Sequence, residues 1–212
     1  VTANTGKRGG GGAHLFVQAV DCIAGPAPDV VLRASGNNQF IGNHAQGDLS
    51  DPNAAGGGGI FAELHSARTV ASAVQYEISG NTIERNDATT HGGGASLLAW
   101  ADGATAPTDA VISFHNNLVA KNAARDTTFR VPSGGGLYGR AVALGADAHA
   151  RLSQSFLTVA DNETELGTGG LEWDDRLPIG STRIAGAETS FELSNSIVTG
   201  NDGYGVGYAE SL

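Results

Sequence analysis

The densest group of chemically capable side chains is Glu172-Trp-Asp-Asp-Arg176. On an extended chain Glu172 and Asp174 point the same way, two residues and roughly 7 Å apart. Carboxylates paired at that separation suit glycosidic-bond cleavage, or they ligate Ca²⁺. Arg140 and Glu63 stand at corresponding places in other segments, Arg140 as a candidate base and Glu63 as a further carboxylate. Phe61, His65, Trp100 and Tyr138 accompany them as candidate ligand-binding residues. Rings interleaved with charged groups suit a sugar-binding face, because rings stack on pyranose faces while charges take hydroxyls and uronates.

The remaining reactive residues define no site. His44, His91, His115 and His149 fall in unrelated positions, so no metal-ligating residues are assigned. Asp202-Gly-Tyr-Gly-Val-Gly207 is one imperfect likeness of a calcium-binding nonapeptide, which leaves Ca²⁺ as the sole cofactor entertained. Cys22 has no second cysteine to pair with and reads as a small core residue. Lys7-Arg-Gly-Gly-Gly-Gly12 lacks the G-K-[ST] order of a phosphate loop. Asn162-Glu-Thr164 spells a glycosylation sequon, but its Asn belongs to the repeat described next. A net charge of −10 argues against nucleic acid and anionic membrane surfaces as partners. No apolar stretch approaches the roughly 18 residues of a membrane helix, so this segment is not expected to insert in a membrane.

What must position these side chains is a repeat. Glycine runs close at Gly12, Gly59, Gly94, Gly136 and Gly170, and each is followed 26 to 31 residues later by an apolar segment ending in Asn. Those asparagines, Asn43, Asn86, Asn122, Asn162 and Asn201, are 43, 36, 40 and 39 residues apart, a period that marks stacked units. Three residues before each Asn stands an apolar one: Phe40, Ile83, Val119, Val159 and Val198. Alternation, a small polar pair, then another short apolar run reads as strand, bend, strand, and the glycines open a third strand. No 3.6-period face long enough for a helix is present. The reading is all-β: a single-stranded right-handed parallel β-helix, or solenoid, of about five coils with three short strands each. It forms one domain over 1–212 with its repeat core at about 9–201. In such a stack the asparagines form an amide ladder, and the glycines permit close approach of neighbouring turns. The connections around 48–56, 125–133 and 176–189 are expected to protrude as loops.

Gly-Gly-Ile at 58–60, Gly-Gly-Ala at 93–95 and Gly-Gly-Leu at 135–137 and 169–171 accompany endings such as Phe40-Ile-Gly-Asn43 and Ile83-Glu-Arg-Asn86. These resemble the GGA[IL] and FxxN repeats of polymorphic outer-membrane proteins and autotransporter passenger domains. They are equally similar to the secreted pectate-lyase-like β-helix superfold. The resemblance spans about 9–201 and implies a secreted or bacterial outer-surface location; the lack of any Met is what leads to the expectation that this chain is a fragment of a longer protein. It also implies that any substrate would lie on the outward face of the strands following the glycines. That face would carry rows His14, Phe61, Ser96, Tyr138, Glu172; Phe16, Glu63, Leu98, Arg140, Asp174; and Gln18, His65, Trp100, Val142, Arg176. The expected function is a non-enzymatic cell-surface module, structural or adhesin-like, that binds a glycan or a host or cell-surface partner. The alternative is a polysaccharide lyase or glycoside hydrolase acting through Glu63, Arg140, Glu172 and Asp174.

Overall fold

The computed structural model describes residues 1–7, 9–20, 30–46, 56–67, 72–103, 107–125, 134–165, 167–177, 181–182 and 184–209. Cys22 and most of the expected loops around 48–56 and 125–133 lie outside them. The described residues are all β, with no helix, and their strands pair in parallel within four sheets.

The first long sheet orders Ala13–Val20, Ile60–Ala67, Ala95–Asp102, Leu137–Leu144, Leu171–Asp174 and Val206–Ala209. A second long sheet orders Val30–Ser35, Ser72–Ser79, Thr108–His115, Ala148–Ser155 and Glu188–Ser194. The third has three-residue strands, Gln39–Ile41, Thr82–Glu84, Leu118–Ala120, Thr158–Ala160 and Ile197–Thr199. The fourth has two-residue strands, Thr5–Gly6, His44–Ala45, Asp87–Ala88, Ala123–Ala124 and Glu163–Thr164. The chain visits the sheets in turn and returns to each one strand further along. A unit therefore contributes four strands, not the expected three. The additional strand directly follows the closing Asn and is two residues long, too short for alternation to reveal it.

Apolar side chains line the inside of these sheets as columns. Tyr76, Ile112, Leu152 and Phe191 are register partners across the second long sheet. Phe40, Ile83, Val119, Val159 and Val198 are partners across the third. The middle members of both columns are fully buried in one continuous core. Each buried Leu, Ile or Phe contributes about 1.5–3 kcal/mol relative to exposure. Gln154 interrupts a column, and its Oε1 accepts a 3.0 Å hydrogen bond from the indole of Trp173.

Two bends per unit share one device, a left-handed residue followed by an inward side chain. Asn37, Gly80, Asn116, Phe156 and Asn195 make the first bend, and Gly42, Arg85, Lys121, Asp161 and Gly200 the second, with φ between 48° and 68°. After the second bend come the ladder asparagines. Each donates its amide to the Oδ1 of the next at 2.8–3.0 Å, and Asn4 extends the row below Asn43. The same Oδ1 accepts the previous Asn backbone N–H, and the amide also donates to a main-chain carbonyl such as Ile83 or Val119. A second, shorter ladder follows the first bend, from Asn38 to Asn81 to Asn117. It stops where the next unit has Leu157. The glycine runs pack against the main ladder: a Cβ on Gly94 would stand 2.6 Å from the Gly136 carbonyl oxygen and 2.8 Å from Asn122 Nδ2.

Candidate functional site

The expected rows are in register on the outer face of the first long sheet. His14, Phe61, Ser96, Tyr138 and Glu172 are successive partners, as are Phe16, Glu63, Leu98, Arg140 and Asp174. Gln18, His65, Trp100 and Val142 form the third row, and Arg176 lies just past the last strand. The expected open surface is closed in its middle. Phe61, Leu98, Tyr138 and Val142 are buried as a second apolar cluster against Trp100, Leu144 and Leu177. Tyr138 is only 3% exposed. Alternation fixes which way a side chain points, but not whether something covers it. The buried band separates two polar groups.

At the near end Glu63 sits between two imidazoles, with His65 Nε2 2.7 Å from one carboxylate oxygen and His14 Nε2 3.3 Å from the other. Burial pushes the Glu63 pKa up, but the hydrogen bonds and charges of His14 and His65 outweigh it and hold it at about 2. Glu63 is therefore an anion across the physiological range. Rings surround it: His14 stacks on Phe61 at 4.7 Å and His65 on Trp100 at 5.6 Å, while Phe16 meets His65 edge to face. Phe16 is half exposed, on the outermost strand of this sheet. His65, Trp100 and Phe61 thus join Glu63 in one cluster. His14 and Phe16 complete it, and the sequence signal for them was their register beside Glu63.

At the far end Asp174 accepts four hydrogen bonds. The Arg176 backbone N–H and Nε donate to Oδ1, while Arg176 Nη2 and the Tyr138 hydroxyl donate to Oδ2. Burial would raise the Asp174 pKa, but the bonds from Arg176 and Tyr138 outweigh it and lower it. The Tyr138 hydroxyl is pushed well above its ordinary range by burial, with the Asp174 charge adding to the effect. His91 stacks on the Tyr138 ring at 4.5 Å, a contact its sequence position did not signal. Arg140 donates to the Arg176 carbonyl oxygen at 2.9 Å.

The four candidate catalytic residues are thus divided. Glu172 and Asp174 share a strand with Arg140 beside them, but the roughly four lone-pair sites of Asp174 are filled. Glu63 lies two strands from Arg140, about 10 Å away. Among the described residues no three His, Cys, Asp or Glu side chains are grouped to hold a metal ion. In comparisons with known proteins, no family model, curated protein sequence or solved structure matches the chain.

Proposed function

We propose that the chain is a non-enzymatic extracellular module, a right-handed parallel β-helix of about five coils that binds a glycan at the near end of its first long sheet. The binding patch comprises His14, Phe16, Glu63, His65 and Trp100. The observation that carries this reading is the division of the outer face: among the described residues, anion and accessible rings coincide at the near end, beside a sealed apolar band. His65 and Trp100 face one another at 4°, so they present edges outward, and the flank of Phe16 is the surface on which a sugar ring can stack. Glu63 accepts from sugar hydroxyls, held in place by the imidazoles of His14 and His65. The alternating glycine and asparagine motifs support a secreted or bacterial outer-surface setting.

The non-enzymatic reading is favoured over a polysaccharide lyase or glycosidase by the saturation of Asp174 and the distance between Glu63 and Arg140. A glycan array, followed by titration calorimetry of the hits, tests the proposal. Binding should weaken at least tenfold in Phe16→Ala and Trp100→Ala, while Arg151→Ala on the second long sheet leaves it unchanged. Absence of any glycan ligand, or binding indifferent to Phe16 and Trp100, overturns it. Release of unsaturated or reducing sugar ends, lost in Arg140→Ala, would establish the enzyme instead.

A further inference from the structure

We infer that the glycan taken by this patch carries a free primary amine, an amino sugar whose ammonium is received by Glu63. This names the ligand class of the patch and rests on the glycan reading. Glu63 lies on Ile60–Ala67, with Ala13–Val20 on one side and Ala95–Asp102 on the other, so its surroundings in the sheet are complete on both sides. Its register partners are Phe16 and Leu98, and Phe61 and His65 flank it along its own strand. At the diagonal places stand His14, Gln18, Ser96 and Trp100. None of these neighbours is an arginine or a lysine, and the rings and Leu98 make the setting largely apolar.

Other carboxylates are placed differently. Among the described residues Glu77 pairs with Arg33, Glu84 with Arg85 and Lys121, Glu163 with Arg125, Asp174 with Arg176 and Glu192 with Arg151. Asp87 and Asp109 meet imidazoles, but their side chains are 39% and 47% exposed and stay hydrated. Glu63 also has imidazoles for partners, with its side chain only 20% exposed. An anion drawn out of water among rings, without a fixed cation, is costly, and a cationic ligand offsets that cost.

The chemistry of the carboxylate agrees. Burial works against its ionisation, but the hydrogen bonds from His14 and His65 keep Glu63 an anion, at a pKa of about 2. A carboxylate only accepts, so each imidazole donates one Nε2–H to it, and about two of its roughly four lone-pair sites stay open. A primary ammonium brings three donors and the missing charge, and its bonds to a carboxylate are charge-assisted. N-acetylation removes that charge and sets a carbonyl oxygen where a donor is required. A uronate would bring two anions together, with Arg140 about 10 Å away. The net charge of −10 acts in the same direction. The exposed flank of Phe16 receives the apolar face of the sugar ring, which a lysine side chain lacks.

Titration calorimetry on the whole chain tests this with oligosaccharides of equal length: oligoglucosamine, its fully N-acetylated form and an oligouronate. Oligoglucosamine should bind about tenfold or more tighter than the acetylated form, and the oligouronate should not bind. Added salt should narrow the gap. Glu63→Gln should bring the two amino-sugar forms to within about twofold of each other, while Arg151→Ala on the second long sheet keeps the parent's ratio. The ligand series on the parent stands even if Glu63→Gln fails to fold. Equal binding of the acetylated and free-amine forms, or preference for the uronate, overturns the inference and leaves the glycan reading in place. An undiminished preference in a folded Glu63→Gln, or oligolysine binding as tightly as oligoglucosamine, overturns it too. Silence from all the oligosaccharides overturns it as well, and the glycan array then decides the wider reading.

Discussion

The amide of Asn122 stands at the centre of the ladder, and every group around it depends on it. Its Oδ1 accepts from the backbone and side chain of Asn86, and its Nδ2 donates to Ile83 and Asn162. Asn122→Ala leaves several buried groups unpartnered at once and should cost about 1–3 kcal/mol, read from urea denaturation; a neutral result would mean that water replaces the rung. Phe156 presents the reverse case. It holds a left-handed conformation at φ 53° and is 61% exposed, a backbone cost of about 1 kcal/mol with little burial in return. Phe156→Asn should raise stability by about 0.5–1 kcal/mol in the same assay, and a loss would show that the ring has a packing role. Glu63 gives a pH signature. Its folded pKa of about 2 lies below the ordinary 4.5, so its stabilising contribution is present above about pH 4.5 and is lost as pH falls towards 2. Glu63→Gln should flatten the acid limb of the stability profile by on the order of 1 kcal/mol, the partial exposure of the cluster being discounted.

At the scale of elements, the glycine runs and the asparagine column are two halves of one contact. Gly94→Val places its side chain against the Gly136 carbonyl and the Asn122 amide and should cost more than Asn122→Ala, with the thermal midpoint as readout. Coincident melts of Gly94→Val and the parent would show that neighbouring units can part at that point. The main ladder and the inward columns were legible because each recurs at a fixed offset from the closing Asn. The second ladder was half legible: Asn38, Asn81 and Asn117 share an offset, but Leu157 and Ser196 break the column. The Ser196 hydroxyl keeps part of the role by accepting the Leu157 N–H at 3.1 Å. Two-residue strands carry no period and stayed hidden. At the candidate site, the rows were readable from alternation. The sealed band and the closure of Asp174 by Arg176 were not, because both depend on side chains beyond the strands, such as His91, Arg176 and Leu177, whose placement alternation does not fix.

For the whole molecule, stability is close to a sum of unit terms and interfaces between neighbours. Interior units have two such interfaces and end units one, as the partly exposed Phe191, Leu193 and Val198 show. Because almost all inter-unit hydrogen bonds run along the stacking direction, the arrangement also has a mechanical meaning. A force applied through the two chain termini peels one layer at a time, instead of shearing many bonds together. In single-molecule pulling the chain should yield a succession of small, similar force peaks spaced by the length of a released unit. That spacing is on the order of 130 Å. A single large rupture would mean that the layers fail together. A tether made of this chain would therefore lengthen gradually under load and dissipate work at each step, acting as a shock absorber and not as a rigid pin.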